Sequence, residues 1–195
     1  MLSESENKQK QARNTRNVPR LRFAGFTDAW ECHKIGRLFK KSTRKNIDLQ
    51  FSRDQVLTAA SMADTDREIK SDDSYMKTYN KIEVGEMLFE GHTSKEFSFG
   101  RFVVDNYRPG IISHVFDVYT PLVKFDIKFL TEYIHNESIM RPILMRATSN
   151  ARMLNSLNSK EFYKQSLLLP SISEQKSLVI LLKFWITLSF FINVS

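Results

Sequence analysis

The sequence contains little cysteine, glycine or proline. Its 195 residues include one Cys, six Gly and five Pro. Because the single thiol of Cys32 cannot form an internal disulfide, we expect a reducing, cytoplasmic setting. The chain also carries 15 Phe, six Tyr and two Trp. This composition argues against a disordered chain, and the length predicts one domain with a substantial hydrophobic core.

The N-terminal residues offer almost nothing that a fold could bury. Residues 1–17 (MLSESENKQKQARNTRN) contain no apolar run. We therefore predict no signal peptide in this region, and we expect a disordered leader. The folded domain is predicted over residues 18–170.

The C-terminal region, residues 171–195, begins like a capped helix and ends in an apolar run. Ser171 and Glu174 have the spacing of a capping box, in which each side chain satisfies a backbone N–H of the other residue. The stretch from Leu178 to Val194 has 17 residues and a single charge, Lys183. A membrane-spanning helix needs roughly 20 apolar residues. We therefore expect the tail to pack against protein.

Apolar periodicity predicts a mixed α/β fold, a twisted β-sheet with flanking helices. A short helix should contain Ile35, Leu38 and Phe39, with Lys40 and Lys41 at its C-terminal end. A longer helical pattern runs from Asp126 to Met145, and Pro142 should divide it into two helices. Strands are predicted at 30–34, 55–58, 87–89, 102–104, 110–113, 115–119 and 165–169.

The charge balance is basic. The chain carries 29 Lys and Arg against 22 Asp and Glu, for a net charge of +7. Such a balance favours a polyanionic partner, nucleic acid first and an anionic membrane second. Solubility alone explains the same charge in many soluble domains.

Four motifs resemble, in order, those of type I restriction–modification specificity (S) subunits. The segment from Pro19 to Trp30 (PRLRFAGFTDAW) resembles the opening of a target-recognition unit, and Val84 to Phe89 (VGEMLF) resembles a turn into a strand. Gly110 to Tyr119 (GIISHVFDVY) is similar to a hairpin of the family. Leu167 to Gln175 (LLLPSISEQ) resembles the start of its long spacer helix. The similarity extends over about residues 18–178.

The resemblance implies a function and a set of partners. The chain would choose the double-stranded DNA sequence on which separate methyltransferase (modification) and restriction subunits act, with no catalytic site, metal or cofactor of its own. The family typically has two recognition units, each followed by a long helix. The single unit and the apolar tail here predict a half-length or degenerate form, which could act as a homodimer on an inverted-repeat target.

A recognition unit needs cations for phosphates and polar groups for base edges. We predict Ser94 and Asn150 as base readers. For each predicted cation taken alone, solvated surface charge remains an alternative. The predicted phosphate contacts are Lys40, Lys41, Arg44, Lys45, Lys95, Arg101, Arg146 and Arg152.

Two other functions remain open. A small metal-dependent nuclease could use the carboxylates of Asp64, Asp66 and Glu68 with Lys70, although the segment reads as a solvated loop. A tail-anchored membrane protein is the second alternative. The four His residues and Cys32 show no metal-ligand spacing, and no Gly-rich phosphate loop is present.

Overall fold

The computed structural model describes residues 24–65, 67–151 and 154–180. The chain divides into two compact units. The larger comprises residues 34–165, and the smaller combines the described residues before 34 with those from 166 onward. The predicted leader at 1–17, Asp66, Arg152 and the apolar tail from residue 181 lie outside the described residues.

Short strands and helices alternate along the chain. In chain order the elements are β1 (Glu31–Lys34), α1 (Ile35–Leu38), β2 (Phe39–Lys41), a 3-10 turn (Arg53–Gln55), α2 (Asp73–Met76), β3 (Asn80–Ile82), β4 (Met87–Glu90), β5 (Arg101–Val104), β6 (Gly110–Ile112), β7 (Asp117–Pro121), α3 (Ile127–His135), α4 (Glu137–Ala147), β8 (Thr148–Ala151), β9 (Leu154–Leu157), α5 (Ser159–Lys164), β10 (Ser166–Leu169) and α6 (172–180). The predicted mixed α/β fold, with twisted antiparallel sheets and helices, is confirmed.

In the smaller unit, β1 and β10 form a two-stranded sheet. Pro170 ends β10, and α6 follows it. The Ser171 hydroxyl accepts a hydrogen bond from the backbone N–H of Glu174 at 3.3 Å, which is one of the two hydrogen bonds of a capping box. The Glu174 carboxylate in turn accepts a hydrogen bond from the Trp30 indole N–H at 3.2 Å. The predicted start of the last helix is therefore confirmed.

The larger unit is built around a four-stranded antiparallel sheet in the order β2-β7-β4-β5. Alternate side chains on its strands point to opposite faces. On one face Phe102 and Tyr119, both fully buried, pack against Phe162 of α5 with ring centroids 5.0 and 5.6 Å apart. These aromatic contacts hold α5 on the sheet.

The opposite face of the same sheet contributes Leu88 and Val118 to a second cluster. Their partners include Ile82 and Ile112 from the two-stranded antiparallel sheet β3-β6. Residues 42–46 connect the two sheets, since the Ser42 amide donates to the carbonyl of Val118 at 2.8 Å and the chain then runs beside β3. The four-stranded sheet therefore buries side chains on both of its faces.

Most predicted strands are confirmed, and three local predictions are wrong. The first helix ends at Leu38, so Phe39, Lys40 and Lys41 belong to β2, where they pair with β7. The long helical segment divides at Asn136 and not at Pro142, because the extended Asn136 caps α4 through the N–H of Ser138 at 2.9 Å. Residues 55–58 form single β-bridges without a strand.

Candidate nucleic-acid interface

The strand registers place several connecting segments at one end of the two sheets. Glu90 at the end of β4 pairs with Arg101 at the start of β5, and Phe89 pairs with Asp117 at the start of β7. Likewise, the end of β6 meets the start of β3. We call this end the loop end. Its connecting segments are residues 75–79, segment 91–100, the turn 113–116 and the β8–β9 hairpin.

Segment 91–100 is anchored at both ends and exposed between them. Phe97 is 6% exposed, and its ring lies 4.9 Å from that of His135 and 5.4 Å from the Arg101 guanidinium. The Ser94 hydroxyl accepts a hydrogen bond from the Phe97 amide at 2.9 Å and so closes the turn that carries Lys95. The predicted residues Ser94 and Lys95 are both exposed on this turn.

The β8–β9 hairpin joins segment 91–100. The Asn155 amide donates to the carbonyl of Gly91 at 2.8 Å, and Leu154 forms a β-bridge with His92. Asn150 lies on β8 opposite Asn155. Arg146 lies in the last turn of α4, next to the hairpin, and its guanidinium donates to the carbonyl of Pro142 at 2.8 Å. The sequence showed this region only as polar.

The structure separates the four predicted basic residues of 40–45 into two pairs. Lys41 forms an ion pair with Asp117 at 2.7 Å, and Lys45 forms a β-bridge with Asn80 at the start of β3, so both lie at the loop end. Lys40 and Arg44 line a recess of about 480 Å³ at the opposite end of the sheets.

Arg44 neutralises a buried carboxylate in that recess. Its guanidinium lies 2.5 Å from an oxygen of Glu86, whose side chain is 4% exposed. The Glu86 carboxylate also accepts hydrogen bonds from the Thr120 hydroxyl at 2.5 Å and from the Glu83 amide at 2.8 Å. This arrangement gives Arg44 a structural partner that the sequence did not indicate.

Arg101 also has partners within the fold. It forms a cross-strand ion pair with Glu90 at 2.7 Å and donates to the carbonyl of Ala60 at 3.3 Å. By contrast, three lysines of the loop end form no ion pair with any residue that the structure describes. They are Lys45, Lys77 and Lys95.

Sequence reasoning missed several exposed groups of the loop end. The ring of Tyr75, which is 45% exposed, meets the exposed His114 edge-on at 5.7 Å. Next to His114, Val115 is 68% exposed and lines a recess of about 410 Å³ together with Phe116 and Leu154. The residues come from three separate segments, so no local pattern could have grouped them.

Asp64 and Glu68, the two carboxylates of the nuclease alternative that the structure describes, have different partners. Asp64 accepts hydrogen bonds from Arg108 and from the Tyr107 hydroxyl, and the bond from Arg108 is the main cause that lowers the pKa of Asp64. Glu68 lies 3.7 Å from Lys70 on the surface. Within residues 24–65, 67–151 and 154–180, no three His, Cys, Asp or Glu side chains are grouped to hold a metal ion.

No helix formed by the described residues is both long and apolar enough to cross a membrane. The apolar tail, on which the membrane alternative depends, lies outside those residues.

No protein-family model and no curated protein matches the sequence. A crystal structure of the HsdS subunit from Thermoanaerobacter tengcongensis is similar to this chain, with a TM-score of 0.58 at 14% sequence identity. The alignment covers 91% of this chain and 46% of that chain. This chain therefore spans about half the length of that subunit. At this identity the likeness shows a common fold.

Proposed function

We propose that this chain is a single target-recognition unit of a type I restriction–modification specificity subunit. In this role it selects double-stranded DNA for separate modification and restriction subunits and catalyses no reaction itself. The observation that carries the proposal is the fold, because nearly the whole chain aligns with about half of an HsdS subunit. The four ordered sequence motifs support the same family.

In this proposal the loop end is the DNA-binding face. Lys45, Lys77 and Lys95 supply charges that contact phosphates, which fix the position of the protein on the duplex. Polar side chains such as Ser94 reach base edges in the major groove. The apolar recess beside Val115 suits contact with the methyl group of thymine.

A single unit reads about half of a two-part site. Two copies related by a two-fold axis would read an inverted repeat, because the symmetry of a dimer is mirrored in its target. The modification and restriction subunits are the expected protein partners, in the cytoplasm.

The salt dependence of DNA binding tests the proposed face. The full chain is titrated against a fluorescent duplex at several salt concentrations, and the slope of log K against log salt is measured. This slope is negative, and each lost phosphate contact reduces its magnitude by about 0.9. Replacing Lys45, Lys77 and Lys95 with Ala should therefore reduce the slope by about 3.

A matched variant controls for net charge. Lys40, Lys124 and Lys128 lie at the opposite end of the sheets, since Lys40 lines the recess with Glu86 and the other two follow the C-terminal end of β7. Their replacement with Ala removes the same charge and should leave most of the slope intact. Equal slopes for the two triple variants would refute the assignment of the loop end.

A further inference from the structure

Asn155 is a buried polar residue on β9, a strand in which exposed and buried residues alternate. It is 7% exposed, whereas its neighbours Leu154 and Ser156 are exposed. Buried polar side chains nearly always have hydrogen-bond partners, because burying an unpaired polar group costs free energy of folding. The partners of Asn155 therefore indicate what the residue does.

Both donors of Asn155 reach segment 91–100. Its backbone N–H donates to the carbonyl of Gly91 at 2.8 Å, and its side-chain amide donates to the carbonyl of Ser98 at 3.3 Å. These two carbonyls lie seven positions apart along the chain. One residue of the hairpin thus holds the beginning and the end of the exposed part of the segment.

Gly91 permits this close approach. A Cβ atom at this position would lie 2.1 Å from the backbone oxygen of Asn155, far inside van der Waals contact. The glycine is needed for space, which is one established reason for glycine where two backbones meet. The buried Phe97 adds a further anchor through its contact with His135.

We propose that segment 91–100 and strand β9 form one rigid DNA-reading element, with Asn155 as its positioning residue. His92, Ser94 and Lys95 from the segment and Ser156 from the hairpin are then presented to the duplex at a fixed spacing. This inference rests on the proposed DNA-binding function and adds which parts of the surface act together.

Loss of the positioning residue should affect sequence selectivity more than total affinity. Base reading needs groups held within about 0.5 Å of their productive geometry. Long lysine side chains reach phosphates from many positions, so non-specific binding tolerates movement of the segment.

The test compares two Asn→Asp variants of the full chain. Asn155→Asp keeps the side-chain shape but replaces the donor to Ser98 with a carboxylate oxygen. In the control, Asn158→Asp, the side-chain oxygen accepts from the amides of Lys160 and Glu161, and aspartate keeps that role. Both variants change the net charge equally, and the two positions are three residues apart in the sequence.

The measured quantity is the ratio of the Kd for a scrambled duplex to the Kd for a duplex selected by the wild-type chain from a random library. Asn155→Asp should lower this ratio about tenfold or more, the scale of one misread base pair. Its Kd for the scrambled duplex should match that of Asn158→Asp. Hydrogen exchange should rise in residues 92–98 and leave β4 and β7 unchanged.

A selectivity ratio in Asn155→Asp equal to that of Asn158→Asp would overturn the inference and leave the proposed function intact. Absence of DNA binding by the folded wild-type chain would instead overturn the proposed function, and the inference with it. If Asn155→Asp does not fold, hydrogen exchange on the wild-type chain decides. Binding of the selected duplex should slow the exchange of backbone amides in both 92–98 and 154–156. Slower exchange in one of these segments alone would contradict the proposal that they form one element.

Discussion

Arg44 and Lys45 are adjacent in the sequence but lie at different ends of the sheets. The sequence predicted Arg44 and Lys45 together as phosphate contacts, whereas the structure places the Arg44 guanidinium on the buried Glu86 carboxylate at 2.5 Å. Lys45 lies at the loop end. We therefore expect Arg44→Ala to reduce stability and Lys45→Ala to reduce DNA affinity.

The expected size of the stability loss follows from burial. Removing one partner of a fully buried ion pair costs about 3–5 kcal/mol, whereas an exposed pair contributes about 0–1 kcal/mol. The Glu86 side chain is 4% exposed and that of Arg44 is 44% exposed. Glu86 also keeps two other donors. We expect Arg44→Ala to lower the free energy of unfolding by about 2 kcal/mol, a decrease in Tm of about 4–8 °C for a chain of this length.

Equilibrium unfolding in urea, followed by circular dichroism, measures this loss. The urea midpoint of Arg44→Ala should fall with an unchanged m-value. The free energy of unfolding of Lys45→Ala should stay within about 0.5 kcal/mol of wild type. The double variant Arg44→Met/Glu86→Gln should regain much of the loss, since it no longer buries an unpaired charge. Wild-type stability in Arg44→Ala, combined with weakened DNA binding, would refute the structural role of Arg44.

Three further changes test the fold. Burial is the main cause that raises the pKa of Asp105, whose second carboxylate oxygen has no hydrogen-bond partner. Because the folded state then holds the proton more tightly, stability should fall as the pH rises from about 4 through the raised pKa. Asp105→Asn should flatten this dependence, as urea midpoints between pH 4 and 8 will reveal. Phe162→Ala should cost about 3–5 kcal/mol in urea unfolding, since Phe162 is 1% exposed and stacks on Phe102; a loss below about 1 kcal/mol would contradict this packing. Gly100→Ala should cost about 2–3 kcal/mol, since Gly100 has φ +80° and a Cβ there would lie 2.6 Å from a backbone oxygen; a wild-type thermal midpoint would contradict this geometry.

The strands could be predicted because local apolar patterns encode them. The run Met87–Phe89 and the stretch Phe102–Val104 are strands whose buried residues face the core. Strands β8 and β9 were missed because their sequences contain several Ser, Thr and Asn residues and no apolar alternation. The end of the first helix was placed too late, since pairing of Phe39 with β7 outweighs the helical spacing.

The candidate site was predictable only in part. Ser94 and Lys95 could be found because they stand in a polar segment between two glycines. The separation of Lys45 from Arg44 depends on strand register and on Glu86, 42 positions away. Tyr75 and His114 meet across 39 positions of sequence, and only the topology brings them together.

The most direct test of the central claim is genome-wide methylation mapping. A host that carries a matching modification subunit is compared with and without this chain. The proposed function predicts a new methylated motif that depends on the chain, and an inverted-repeat motif would indicate that two copies act together. If no motif appears while the chain is folded and soluble in the cell, the claim that it directs modification is contradicted.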